Sequence, residues 1–148
     1  MNSQFSSSLY DQSTFYKAFV KDLQNVRTMV IIESPFITEK RMRVLLPILI
    51  KLRAKNIKIT VNTKPFSEHE QMYQEQAIWA VRMMQDIGID VLFTSGHHRK
   101  LAIIDDILWE GSLNIFSQND SCEIMRRMQS KEFVKEMLRF IGLKKWTR

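Results

Sequence analysis

The sequence predicts one α/β domain, in which helices flank both faces of a mixed β-sheet. Between residues 13 and 93, segments with the apolar spacing of helices alternate with short apolar runs typical of buried strands. After residue 97 the pattern changes to strand-like runs joined by short turns, which adds antiparallel strands to a largely parallel sheet. The chain has 148 residues, 45% of them hydrophobic, which is enough to bury one core without disulfides or metals.

Three helices and three strands are expected to alternate in the first part of the chain. Each helix carries apolar residues on one face, such as Phe15, Phe19 and Leu23, and each strand is short and apolar. Pro47 lies inside the second helical pattern and predicts either a kink or two abutting helices, and Gly88 suits the end of the third helix. The helices are expected at residues 13–26, 38–55 and 70–86, and the strands at 29–33, 57–61 and 89–93.

The second part of the chain is expected to form three strands and one helix. The strands are predicted at residues 97–104, 107–110 and 123–127, and the helix at 130–141 with Gly142 at its end. Residues 1–12 are polar and are predicted to form a loose leader. No internal repeat, low-complexity tract or linker divides residues 1–148, so a single domain is expected.

The composition limits the classes of partner and compartment. A net charge of +6 suits a polyanion such as nucleic acid, although a solvated basic surface explains the charge equally well. Cys122 is the one cysteine, so no internal disulfide can form and a reducing compartment is expected. The polar N-terminus lacks an export signal, and no apolar run approaches the roughly 20 residues that a membrane span needs. We therefore expect a cytoplasmic protein with no membrane partner.

Polar residues with complementary chemistry cluster in two nearby segments, His98-Arg-Lys100 and Gly111-Ser112-Leu-Asn114. Side chains alternate along a strand, so His98 and Lys100 share a face, as do Ser112 and Asn114 if their segment is extended. If the two faces meet, the natural common ligand is a phosphate. Lysine and asparagine can hold its non-bridging oxygens, which leaves the histidine to attack phosphorus or donate a proton. Gly111 has no Cβ and permits close approach of a substrate or of the backbone.

Neighbouring polar residues receive other roles. Asp105 has the opposite parity to His98 on a regular strand, so a structural role at the turn into Asp106 is expected. His97 also points away from His98 and is predicted to be a surface histidine. Arg99 is interpreted either as an edge-strand solubility residue or as a contact at the rim of a nucleic-acid site. Lys64 and His69 follow a predicted strand, where α/β sites tend to form, and are assigned to the rim.

The pattern His98-x-Lys100-x4-Asp105, followed by Gly111-Ser112-x-Asn114, resembles the signature of the phospholipase D superfamily in order and spacing. The sequences Leu-Ala-Ile-Ile-Asp-Asp and Trp-Glu-Gly-Ser-Leu-Asn resemble its bacterial nuclease-like members, some of which are fused to helicases or ATPases. The Glu33-Ser-Pro-Phe36 turn and the Ser67-Glu-His69 loop are similar as well. The resemblance spans about residues 13–141 and implies the phospholipase D-like fold.

The resemblance also implies a mechanism without a metal or another cofactor. His98 would attack phosphorus, and His98 of a twofold-related copy would protonate the leaving oxygen and then activate water. Lys100 and Asn114 would hold the phosphate, with Ser112 in support. Glu123 is the candidate for the glutamate that orients the histidine in such enzymes; an exposed strand carboxylate paired with Arg126 or Arg127 is an equal alternative.

The function expected from these features is metal-independent hydrolysis of nucleic-acid phosphodiesters by a homodimer with a shared active site. DNA is favoured over RNA as the substrate, and a helicase or ATPase is a further expected partner. One alternative is a weakly active or inactive module that binds nucleic acid or dimerises a larger assembly. A phospholipase is the second alternative, disfavoured because the chain is basic and lacks an amphipathic interfacial segment.

Overall fold

The computed structural model describes residues 5–118 and 120–142. The helices are α1 (Phe15–Gln24), α2 (Glu39–Ala54), α3 (Gln71–Asp86) and α4 (Lys131–Ile141), and a 3-10 helix covers Phe66–Glu68. The strands are β1 (Ser6–Asp11), β2 (Met29–Glu33), β3 (Lys58–Thr63), β4 (Asp90–Phe93), β5 (Leu101–Ile104), β6 (Ile107–Gly111) and β7 (Ile124–Gln129). No helix in the described residues is both long and apolar enough to span a membrane.

The seven strands form one sheet in the order β1-β7-β6-β5-β2-β3-β4. β2, β3 and β4 are parallel neighbours, because a helix crosses over between each pair. β5 pairs antiparallel with β2, and β6, β7 and β1 continue the sheet with antiparallel pairings. The predicted mixed sheet is therefore confirmed.

Helices cover the two faces of the sheet unequally. α1, α2 and α3 pack on one face, where Phe19, Leu49 and Val81 are completely or almost completely buried against β2 and β3. α4 packs on the other face, where Val134 and Ile141 join Ile31, Ile103 and Leu108. Side chains of Val30, Ile31 and Ile32 alternate between the two layers, which explains why β2 is apolar from Met29 to Ile32.

Two features of the N-terminal half differ from the sequence prediction. The loose leader is wrong for residues 6–11, which form edge strand β1 paired along its length with β7. Its side chains are mostly exposed, so the strand depends on backbone pairing that a polar sequence does not reveal. The alternative of two abutting helices around Pro47 is also wrong, since α2 continues through that residue.

The sheet topology brings distant segments to one edge, which we call the site edge. The parallel strands β2 and β3 end there, and so does β6, because it is antiparallel to β5. β5 and β7 run the opposite way and begin there. Residues that follow β2, β3 and β6 therefore lie beside residues that precede β5 and β7.

Candidate active site

His98 and Lys100 lie at the site edge, immediately before β5. The prediction of a strand from residue 97 is wrong, since ladder pairing of β5 begins at Leu101 opposite Glu33 and Glu110. Just before the ladder, Nζ of Lys100 donates to the carbonyl of His98 at 2.8 Å. Residues 97–100 carry no ladder assignment, so the predicted strand begins four residues too early.

A buried ion pair fixes Arg99 between the two motif residues. The Glu33 side chain at the end of β2 is completely buried, and its two oxygens accept from Nε of Arg99 at 2.7 Å and from Nη2 at 3.1 Å. Asn62 donates to the same carboxylate at 2.9 Å, and Thr94 donates to Asn62 at 2.9 Å. Neither role predicted for Arg99 describes this bidentate contact, which holds the motif segment against β2 and β3.

His97 is also part of the buried polar cluster, and its prediction as a surface histidine is wrong. Only 3% of the residue is exposed. Burial lowers the pKa of His97, and the charges of Arg99 and Lys100 lower it further, whereas Glu33 and a hydrogen bond with the Asn62 backbone act in the opposite direction. The net shift is downward, which keeps the ring neutral inside the fold.

His98, in contrast, is exposed at the site edge. Its ring approaches Phe36 edge-on, with the two ring centroids 6.5 Å apart. Phe36 belongs to the segment after β2, on which the segment after β6 is docked: Phe116 donates to Ser34 Oγ at 3.1 Å. The half-buried Asn114 lies in that docked segment, so the fold brings the Asn114 and His98 segments to the same place.

Lys100, Ser112 and Glu123 are neighbours on the other side of the motif. Hydrogen bonds from Ser112 and Ser121, together with the charge of Lys100, hold the pKa of Glu123 below its usual range. Glu123 is therefore ionised at neutral pH. The alternative pairing of Glu123 with Arg126 or Arg127 is not formed, because these arginines donate to Ser7 and Asp22 respectively.

Position 111 requires glycine because the backbone at the start of β7 approaches it closely. A Cβ atom at this position would lie 2.1 Å from the carbonyl oxygen of Ile124, which no side chain can accommodate. The approach lets Ser112 bond with the start of β7: its amide donates to the Ile124 carbonyl at 2.9 Å, and the Ile124 amide donates to its hydroxyl at 3.0 Å. The glycine thus places Ser112 beside Glu123.

Asp105 lies at the far end of β5, away from the site edge. Its carboxylate accepts from the backbone amides of Arg27, Thr28 and Met29 at 2.8 to 3.2 Å, and from the Thr28 hydroxyl at 2.6 Å. Burial alone would raise the pKa of Asp105, but these hydrogen bonds together lower it. The contacts join the start of β2 to the turn after β5.

We expect Asp105→Asn to lower the free energy of unfolding by about 1–3 kcal/mol, because an amide nitrogen cannot accept the bond from Arg27. The backbone at Asp105 has a φ of 52°, which asparagine tolerates, so the effect reports the lost acceptor. Urea unfolding measures the change. Asp106→Asn at the neighbouring turn position is the matched control, and equal losses in the two variants would contradict the assignment.

A second buried histidine, His69, lies after the 3-10 helix and is 6% exposed. Burial and the nearby charge of Lys64 lower its pKa, and this outweighs the opposing influence of the Lys64 backbone and of Glu68. Two neutral histidines, His69 and His97, are thus buried in the folded chain, although both titrate near 6.5 in an unfolded chain.

These histidines predict a loss of stability on mild acidification. Below about pH 6.5 the unfolded chain binds protons at His69 and His97 that the folded chain excludes, so the free energy of unfolding falls as the pH falls. Urea unfolding at about pH 7.5 and about pH 5.5 tests this. His69→Gln should reduce the difference in the free energy of unfolding between the two pH values. An unchanged pH dependence in that variant would contradict the argument for His69.

A cavity of about 440 Å³ opens beside Phe36. Its walls include the rings of Phe36 and Tyr73 and the amide side chains of Gln76 and Gln118. Phe36 also contacts His98 and therefore lies between the cavity and that histidine. Among the described residues, no group of three or more His, Cys, Asp or Glu side chains is placed to hold a metal ion.

The fold is similar to those of several solved structures. NucT from Helicobacter pylori matches with a TM-score of 0.77 and 19% identity, over 97% of this chain and 98% of that chain. Nuc from Salmonella typhimurium, a phospholipase D family member, matches with a TM-score of 0.74 and 13% identity, over 93% and 91% of the two chains. TrmBL2, an archaeal chromatin protein, matches with a TM-score of 0.67 and 8% identity, over 95% of this chain and 52% of that chain.

The sequence comparisons give no further assignment. No family model matches the sequence, and no curated protein matches it significantly. The structural likenesses extend over nearly the whole length of this chain and over nearly the whole of NucT and Nuc. The chain therefore has the phospholipase D-like fold that its motif spacing predicts.

Proposed function

We propose that this chain is a phosphodiesterase of the phospholipase D type, and that it hydrolyses nucleic acid without a metal. The observation that supports this most directly is the assembly at the site edge. Residues from the starts of β5 and β7 and from the end of β6 bring Lys100, Ser112 and an ionised Glu123 together, next to an exposed His98. The similarity in fold to Nuc and the matching motif spacing support the same assignment.

The proposed reaction has two steps. An unprotonated nitrogen of His98 attacks phosphorus, a histidine–phosphorus bond forms, and the bond from phosphorus to the leaving oxygen breaks. The leaving oxygen takes a proton from His98 of a second copy. That second imidazole then removes a proton from water, which attacks phosphorus and releases His98. Lys100 and Asn114 hold the non-bridging oxygens, Ser112 supports them from the end of β6, and Glu123 orients the histidine.

We expect a homodimer, because this mechanism needs a second histidine as proton donor in addition to the nucleophile. His97 cannot take that role because it is buried. A twofold axis would bring the same surface of both copies together, so that both His98 rings flank one phosphate. Light scattering at assay concentrations tests the assembly. Mixed dimers with one wild-type and one His98→Ala subunit should be as inactive as the double variant, and a strictly monomeric active protein would contradict the shared site.

The decisive experiment for the proposed function uses labelled single- and double-stranded DNA and RNA in EDTA. Cleavage by the wild-type protein and not by His98→Ala is the expected result, with DNA cut faster than RNA. Glu123→Gln tests the orienting role of that carboxylate in the same assay. Activity that disappears in EDTA and returns with magnesium or zinc would contradict the mechanism.

A second candidate function is a nucleic-acid-binding module with little turnover, alone or with a helicase-like partner. The likeness to TrmBL2 favours it, because that archaeal chromatin protein binds DNA and about half of its chain matches this fold. In this case the wild type and His98→Ala would bind oligonucleotides equally and neither would cut them. The same assay therefore separates the two candidates.

A further inference from the structure

A second cationic group lies beside His98, although the proposed mechanism does not use it. Lys64 follows β3 at the site edge and is only 8% exposed. Its ammonium nitrogen lies 3.8 Å from the centre of the Phe36 ring, the same ring that His98 approaches. Phe36 also contacts His69, with centroids 6.4 Å apart. We call Phe36, Lys64 and His69 the Phe36 cluster.

Lys64 lies in the Phe36 cluster without an ion pair. Within residues 5–118 and 120–142, no carboxylate lies within 4 Å of its ammonium, and the charges of Glu68 and Glu70 act on it from a longer distance. The Glu68 carboxylate is engaged by other donors, because Ser95 and the amide of Gly96 donate to its two oxygens at 2.6 and 2.8 Å. A buried ammonium that packs on an aromatic face without an ion pair is costly unless an anion completes it.

We propose that the Phe36 cluster is a second phosphate subsite, which binds the phosphate next to the scissile one on the same strand. This rests on the proposed function of the His98 site. The distances of 3.8 and 6.5 Å to one ring centroid put Lys64 and His98 within reach of two phosphates joined by a single nucleotide. The Lys64 ammonium supplies the charge for this contact.

The subsite defines a substrate preference. A diester with one phosphate occupies only the His98 site, whereas a strand fills both sites and gains a charge-assisted contact. The preferred substrate is therefore a polynucleotide or a dinucleotide with a terminal phosphate, and not a small isolated diester. Phe36 of this cluster also lines the neighbouring cavity.

The test compares three thymidine dinucleotides: one with only the linking phosphodiester, one with an added 5′ phosphate and one with an added 3′ phosphate. Lys64→Met should lower kcat/KM by about tenfold or more for one of the phosphorylated dinucleotides and leave the unphosphorylated one within about twofold. Lys55→Met is the matched control, since it removes the same charge at the opposite edge of the sheet. An equal loss with all three dinucleotides, or no loss with any, would overturn the subsite.

A binding measurement tests the subsite without requiring catalytic turnover. In a His98→Ala background, Lys64→Met should weaken binding of a labelled oligothymidylate about tenfold and reduce the slope of log affinity against log salt by about 0.7. If the wild type cuts nothing but this difference remains, the proposed hydrolysis is wrong and the subsite stands. If Lys64→Met binds as tightly as the parent, the subsite is wrong whatever the activity.

Thermal stability tests whether Lys64 has a merely structural role. Methionine is similar in length and packs well on an aromatic ring, so Lys64→Met removes a buried charge without leaving a large cavity. We expect its melting temperature to equal or exceed that of the wild type while strand binding falls. A lower melting temperature together with unchanged binding would show that the ammonium serves the fold.

Discussion

Replacement of His98 by alanine is expected to lower the proposed phosphodiesterase activity about a thousandfold or more, with little effect on stability. The expected loss is large because the proposed mechanism makes His98 the covalent nucleophile, which no neighbouring group can replace. Since His98 is exposed and makes its described ring contact only with Phe36, its removal should change the free energy of unfolding by no more than about 0.5 kcal/mol. Initial rates of oligonucleotide cleavage in EDTA, measured beside urea unfolding, check both parts.

The neighbouring histidine provides the matched control. His97→Ala removes a buried ring that bonds with the Asn62 backbone, so we expect a loss of about 2–4 kcal/mol in the free energy of unfolding. Below the melting transition, the folded fraction of His97→Ala should still cleave the substrate. If His97→Ala were the inactive variant and His98→Ala still cut, the assignment of the nucleophile would be wrong.

Local patterns predicted most of the fold because most of its elements are stabilised by their own apolar periodicity. The helix that contains Phe15, Phe19 and Leu23 is an example: the same spacing that predicted it buries all three side chains completely. The end of α3 followed by Gly88 is another, because that glycine has a φ of 89°, which suits a left-handed position after a helix. For the helices and strands that were predicted, the boundaries differ by at most four residues.

The errors arose where a contact between distant segments decides the structure. β1 has a polar sequence, and its partner β7 begins more than a hundred residues later, so nothing local marked residues 6–11 as a strand. The start of β5 was misplaced because Arg99 is drawn to Glu33, 66 residues away, and not kept in a ladder. His97, which was expected at the surface, is buried close to the same ion pair of Glu33 and Arg99.

The sequence predicted only some of the residues of the candidate site. Spacing identified His98, Lys100, Ser112 and Asn114 as a set, since their two segments flank one pair of adjacent strands. The sequence did not reveal that Glu33 and Asn62 form the buried support beneath them. A glutamate at the end of an apolar strand was the one available signal, because a carboxylate in that position needs a partner.

Arg99→Ala is expected to lower the free energy of unfolding by about 3–5 kcal/mol, the largest stability effect among the site-edge residues. The reason is asymmetry within the pair: the Arg99 side chain is 40% exposed, whereas that of Glu33 is completely buried. Removal of the arginine leaves a buried carboxylate whose one other described hydrogen bond comes from Asn62. Urea unfolding measures the loss, and cleavage should fall with it, because Arg99 holds the segment that carries His98 and Lys100.

A second substitution distinguishes the buried charge from lost packing. Glu33→Gln alone should cost less, about 1–2 kcal/mol, because the freed guanidinium can be solvated and the amide oxygen can still accept from Asn62. Combined with Arg99→Ala, it removes the unpaired charge, so the double variant should be more stable than Arg99→Ala by about 2 kcal/mol. If the two losses simply add, the cost of Arg99→Ala lies in packing, and the carboxylate is not the group that requires the arginine.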